Sequence, residues 1–215
     1  MNRPLVISIC LLAVFMGGCS KTITTIPTYG SQMIVEAVFQ GNIDTAKTRY
    51  FLIISTQESY SFPILPPEGT SLDEFLEPGD SPVVGNIADY FTKYYSTWSS
   101  YIALDSLGYH FVSGPFSATT PITKETLGAV VVQSNYIYFT VSLNRLFGSS
   151  VPDNIYFDII SADYPSNGQK YLKDHIAPPS RSISKIAGSI LEKTDEAKPD
   201  IDPSQDIISW SVKIE

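Results

Sequence analysis

Proton transfer at neutral pH most often runs through histidine, and this chain carries only His110 and His175. His110 falls in the middle of an apolar, aromatic run, and His175 follows Asp174 just before a pair of prolines. No Gly-x-Ser-x-Gly elbow surrounds any serine, and no serine motif stands near either ring. Two histidines also leave a zinc site short of ligands, and Met33 is the one methionine after Met16 that could ligate a haem. Carboxylates are more plentiful. Asp105, Asp158 and Asp163 lie on or beside strand-like segments, where two acids facing across a cleft could hydrolyse a glycoside. Aspartates at strand ends ordinarily bind loop amides instead. Asp153, Asp158, Asp163, Asn167 and Asp174 flank one strand and its following turn and offer the oxygen ligands that calcium prefers. No cofactor is expected beyond a structural calcium, for which Asp158, Asp163 and Asn167 are the candidates.

Aromatic side chains are the stronger signal. Tyr90, Phe91, Tyr94, Tyr95, Trp98 and Tyr101 crowd into one short stretch, and positions 90, 94 and 98 share a helical face. Such rings either plug one end of a core or expose a face that stacks on a sugar or peptide. As a binding platform, the contacts would come from Tyr94, Tyr95, Trp98 and Tyr101. Trp210, alternating with Ile208 and Val212, reads as core.

The elements that would position these residues are mostly strands. Met33–Phe39 is β-rich, and Arg49–Ile54 is apolar in both phases, as befits a central strand covered on two faces. Tyr101–Asp105 and Tyr109–Val112 flank a glycine-bearing turn and form a hairpin. Ala129–Val132 pairs with Tyr136–Val141 through Ser134-Asn135, Leu143–Phe147 makes a short helical turn, and Asn154–Ile160 and Ile207–Val212 are further strands. Between Glu58 and Asp89 the chain is irregular and rich in proline and glycine. Within it, Ser71-Leu72-Asp73-Glu74 has capping-box spacing and predicts one helical turn through Phe75. Ile183, Ile186, Ala187, Ile190 and Leu191 follow helical spacing and predict a short amphipathic helix, and Lys193–Asp206 predicts an exposed loop. About eight strands with hairpin-length connections, and one or two short helices, imply an all-β antiparallel sandwich of the jelly-roll or immunoglobulin-like kind.

Of 14 lysines and arginines, Arg3 precedes the first apolar run, and the remainder face 22 acidic side chains. That surface repels phosphate backbones, so nucleic acid is not an expected partner. It also disfavours charge-driven docking on anionic lipid.

The amino terminus has its own pattern. Arg3 precedes a mostly apolar run from Leu5 to Met16, too short to span a bilayer, and Gly17-Gly18-Cys19-Ser20 follows. This stretch resembles the lipobox of bacterial lipoproteins. The resemblance implies a signal peptide over residues 1–18, lipid attachment at Cys19, and a tether over residues 19–30 leading to one domain at 31–215. Cys10 leaves with the leader, so neither a disulfide framework nor a cysteine nucleophile is expected. Ser20 is compatible with outer-membrane sorting in a host with two membranes; with one membrane, the domain sits on its outer face.

Several segments together, Tyr50–Ile54, Trp98–Ile102, Gly108–Phe111, Tyr136–Leu143 and Asn154–Asp163, are similar to DOMON-like and family 9 carbohydrate-binding sandwiches. That resemblance implies a jelly-roll-like fold that binds sugar or haem without catalysis. It carries over no ligand-contacting residue, and Ser55-Thr56-Gln57-Glu58 stands where those modules often have an acidic turn. The sequence therefore predicts a lipid-anchored, extracytoplasmic, non-catalytic binding or accessory module, with a glycan as leading ligand. An envelope-assembly lipoprotein that binds another protein is the alternative, and a glycoside-acting enzyme comes third.

Overall fold

A computed structural model describes residues 27–128, 134–176 and 181–215. Among the described residues, eleven strands form two antiparallel sheets, as expected of an all-β sandwich. The smaller sheet has the order β10 (Ile190–Thr194), β11 (Ile207–Ile214), β1 (Gln32–Phe39) and β6 (Tyr136–Ser142). The larger runs β5 (Glu125–Gly128), β4 (Gly108–Ser113), β3 (Ser100–Asp105), β2 (Thr48–Ser55), β7 (Asn154–Asp163) and β8 (Tyr171–His175), with β9 (Ser182–Ser184) also paired to β7. The described residues also form two short helices, α1 (Ile87–Lys93) and α2 (Leu143–Phe147), and a 3-10 turn at Tyr95–Thr97 follows α1.

The alternation in each strand decides what lies between the sheets. Met33, Val35, Ala37 and Phe39 of β1 point inward, as do Ile137, Phe139 and Val141 of β6 and Trp210, Val212 and Ile214 of β11. They meet Tyr50, Leu52 and Ile54 of β2 and Ile155, Phe157 and Ile159 of β7. The doubly apolar reading of β2 holds, because its other face is buried as well. Phe51 and Ile53 point away from the smaller sheet into a second core with Phe62, Phe75, Leu76, Tyr90, Tyr95, Trp98, Tyr101 and Tyr164. Residues 56–99, irregular apart from α1 and the 3-10 turn, form a third layer over the outer face of the larger sheet.

Several local expectations change. Ile183–Leu191 is not helical: Gly188 adopts φ +85° in a tight turn that separates β9 from β10. Ser71–Phe75 is not a helical turn either. Glu74 turns away from Ser71 and accepts from the amides of Val83 (2.6 Å) and Lys170 (3.1 Å), which spends the carboxylate on loop closure. The expected loop at Lys193–Asp206 begins inside β10, and its far end is buried, with Gln205 bonded to Thr48 at 3.0 Å. The tether prediction stops short of residue 30, because Tyr29 bridges to Ile186 and Gly30 donates to the Lys185 carbonyl. Cys19, residues 1–18 and the strand expected at Ala129–Val132 lie outside the described residues.

Two cores on opposite faces of one strand give a direct expectation. Leu52→Ala and Phe51→Ala should each lower stability by about 2–5 kcal/mol in urea unfolding. A loss below about 1 kcal/mol for Phe51→Ala would mean that the irregular layer is not packed on the sheet.

Candidate functional site

The four rings expected as ligand contacts are all buried, and their polar ends are spent inside the chain. Tyr94 donates to Asp73 Oδ2 at 2.7 Å, Tyr95 to the Leu76 carbonyl at 3.0 Å, Trp98 Nε1 to the Ser61 carbonyl at 2.8 Å, and Tyr101 to Glu77 Oε1 at 2.8 Å. Tyr94, Tyr95 and Trp98 knit residues 60–77 to the rest of the third layer, and Tyr101 of β3 ties them to the sheet. The platform reading is thereby corrected to core, because an exposed layer of extended chain without its own ladder needs such anchors for its carbonyls and amides.

Glu77 is the centre of this arrangement and has no solvent exposure. Oε1 takes hydrogen bonds from Tyr101 and from His110 Nε2 (2.7 Å); Oε2 takes Arg49 (2.6 Å) and Lys124 (2.8 Å). A carboxylate only accepts, so His110 carries its proton on Nε2. Burial alone would raise the Glu77 carboxyl, but the His110 hydrogen bond and the Lys124 charge hold it down, at about 2. Its own amide donates to Tyr164, whose hydroxyl passes on to Asp80 at 2.6 Å while Arg49 lies over the Tyr164 ring. The other histidine is similarly committed. His175 Nε2 lies 3.3 Å from Glu68, and its Nδ1 is 3.5 Å from Asp158, a fully buried acid on β7 that Arg181 also binds. Burial pushes the Asp158 carboxyl above its ordinary range, against the opposing pull of His175 and Arg181.

The calcium candidates do not converge. Asp158 and Asp163 are five positions apart on β7, hence on opposite faces and about 16 Å apart at roughly 3.3 Å per residue, too far to share one ion. Asp153 pairs with Lys185, and Asp174 with Lys198 and the Ile207 amide. Among the described residues, no three His, Cys, Asp or Glu side chains lie close enough to hold a metal.

The broad surface left open is the outer face of the smaller sheet. Alternation on β6 is strict, which leaves Tyr136 and Tyr138 49 % and 50 % exposed while Ile137, Phe139 and Val141 are buried. The register places outward residues in rows across four strands. Glu192, Ser211, Glu36 and Tyr138 form one row, and Thr194, Ser209, Val38 and Tyr136 the next. Two small serines at the centre, between longer neighbours on both sides, produce a recess of about 530 Å³ lined by Glu36, Val38, Glu192, Lys193, Thr194, Ser209, Trp210 and Ser211. The tyrosines stand one strand beyond its Glu36–Val38 wall. Hydroxyls at the floor, two carboxylates and the Lys193 ammonium in the lining, and rings at the side suit a polyhydroxylated ligand.

Sequence reading had all four strands of this face in hand except β10, which it took for helix and loop. The signal for the site was the alternation in Tyr136-Ile137-Tyr138-Phe139, set beside Ile208-Ser209-Trp210-Ser211. Which strands are neighbours is a long-range property, so the row could not be assembled. Glu77 carried only a weak signal, an acid directly after Phe75-Leu76.

The Glu77 cluster makes a pH-dependent contribution with a definite sign. Its carboxyl is lower in the fold than the ordinary 4.5 of an unfolded chain. The contribution is therefore complete above about pH 5 and is lost as pH falls through roughly 4.5 toward 2. Urea midpoints between pH 6 and pH 2 should fall across that window, and less steeply for Glu77→Gln. At pH 6 that variant should be less stable by about 3 kcal/mol, since Arg49 and Lys124 lose the buried carboxylate that they share. Parallel pH profiles for the two proteins would overturn the assignment.

No family model, no curated protein and no solved structure matches this chain.

Proposed function

We propose that this protein is a lipid-anchored, extracytoplasmic accessory module that holds a neutral glycan on the uncovered face of its smaller sheet. The observation that carries the reading is the pair of half-exposed tyrosines on β6 beside a hydroxyl-floored, acid-walled recess. The leader pattern and Cys19 support the anchor. The non-catalytic part is supported by the two histidines, both of which lie against carboxylates away from this face: His110 against Glu77, His175 against Glu68 and Asp158. Rings of this kind offer contact area with few torsions to freeze, while hydroxyls and carboxylates fix the orientation of the sugar. The same face is too polar to attract an apolar protein partner through burial alone.

Affinity electrophoresis in gels containing neutral polysaccharides tests the reading directly. A retarding polysaccharide should be found, and Tyr138→Ala should weaken its retention about tenfold, equivalent to ~1.4 kcal/mol. Leu107→Ala, at an exposed turn remote from the recess, should leave retention unchanged. Absence of retardation by every neutral glycan, or equal retention by Tyr138→Ala, would overturn it. For the anchor, Cys19→Ala should abolish incorporation of labelled palmitate and release the protein from membranes; persistent membrane association would count against lipidation.

A further inference from the structure

The chain enters the sandwich at one end, and that end carries the exposed apolar side chains of three neighbouring residues. Tyr29 bridges to Ile186, and the Ala187 amide donates to the Thr28 carbonyl. Ser31 and Gln32 donate to the Glu215 carbonyl. Gly30 fits because it lacks a side chain: a Cβ there would lie 2.2 Å from Ile214 Cγ2 and 3.0 Å from the Glu215 carbonyl oxygen. The turn from Ile186 to Ser189 is stapled to the same place, with the Gly188 amide on the Ile214 carbonyl and the Ser189 amide on the Ile186 carbonyl. These bonds hold Tyr29, Ile186 and Ile190 together at 62 %, 40 % and 48 % exposure. Lys185 sits 4.5 Å from the Tyr29 ring centroid, and Lys213 pairs across from Ile190. Asp153, bound to Lys185, and the Glu215 side chain are acids near this tip.

We infer that Tyr29, Ile186 and Ile190 form a tip that rests in the headgroup region of the bilayer carrying the anchor. The inference rests on the lipidation reading above, and the position of the chain entry then selects the occupant. Tyr29 is ten positions after Cys19, so at about 3.3 Å per residue the tip stays within roughly 35 Å of the acyl chains. A tyrosine belongs at such an interface, with its ring among the glycerol groups and its hydroxyl in water, and two isoleucines supply apolar area beside it. Two lysines behind them face the headgroup phosphates, against the acidic trend of the chain. The face with the recess then stands upright on the membrane, and its Tyr136–Thr194 row lies in the half away from the lipid.

The test uses the processed, lipidated full-length protein in vesicles of phosphatidylcholine and phosphatidylglycerol. With Cys10 removed and Cys19 acylated, an introduced cysteine is the only free thiol. A fluorophore on Ile186→Cys should be quenched at least threefold more by spin label on the lipid headgroup than one on Leu107→Cys, which lies at the opposite end and is 88 % exposed. Combining Tyr29→Ser and Ile190→Ser with Ile186→Cys should remove that difference while the protein still floats with the vesicles. Equal quenching at 186 and 107 on floating protein overturns the tip and leaves the anchor standing. Protein that fails to float overturns both.

Discussion

A carboxylate held away from water must collect its hydrogen bonds from the protein, and Glu77 collects them from four separate places in the chain. Arg49 comes from β2, Tyr101 from β3, His110 from β4 and Lys124 from the connection leading to β5. No ladder of backbone bonds holds residues 56–86 to the sheet. Their attachment depends on side chains reaching from the sheet, and Glu77 is where most of them meet. The same stretch receives Tyr164 on its amide and Tyr95 on the carbonyl just before it, so the backbone on either side is fixed as well. With Phe75 and Leu76 directed into the second core, the motif is acid-flanked on both sides: Glu74 closes a loop through amides, and Glu77 clamps the sheet. An apolar replacement at 77 would strand four donors at once, which explains why a charge occupies the interior of this layer.

Covering one outer face has a consequence for the other. The third layer takes up the aromatic residues between 60 and 101, so the rings left for contact with other molecules are those that strand alternation forces outward, notably Tyr136 and Tyr138. The two sheets thus divide the work. The larger is buried on both sides and gives the molecule its rigidity. The smaller carries a core face toward its partner and presents a patterned polar face to solvent. The site is a property of register more than of any single residue: a slip of one position on β11 would replace Ser209 and Ser211 with Trp210 and fill the recess.

Much of this architecture could be read from the residues. Met33–Phe39, Tyr136–Val141 and Ile207–Val212 read as strands, and the continuous run at Arg49–Ile54 as a strand covered on both faces. The misreadings have a common physical origin. At Ile183–Leu191, apolar spacing of three and four residues suits a helix, but Gly188 at positive φ turns the chain and short strands find partners on β7 and β11. In the 90–101 cluster, the helical spacing of positions 90, 94 and 98 runs past α1, which ends at Lys93, and composition cannot say whether rings face solvent or a sheet. Glu77 and the serine-floored recess both depend on residues far apart in sequence, from 49 to 124 in one and from 36 to 211 in the other. Local patterns do not report such meetings.

The direction of the chain through the sandwich links anchor and site. β1 starts beside Glu215 and runs away from the entry point, and β6 and β11 run back antiparallel to it. Tyr136 pairs with Val38 near the far end of β1, while Ser142 pairs with Gln32 at the near end. Eight residues of strand span about 26 Å at roughly 3.3 Å each. With the chain entry resting on the lipid, the Tyr136 row would therefore stand about a strand's length above it. If the ligand is a glycan chain lying parallel to the membrane, it crosses the four strands along these rows, meeting tyrosine, carboxylate or valine, serine, and carboxylate or threonine in turn. The order of side chains within a row then sets specificity, because each sugar unit faces a different strand and a substitution on one strand alters one subsite.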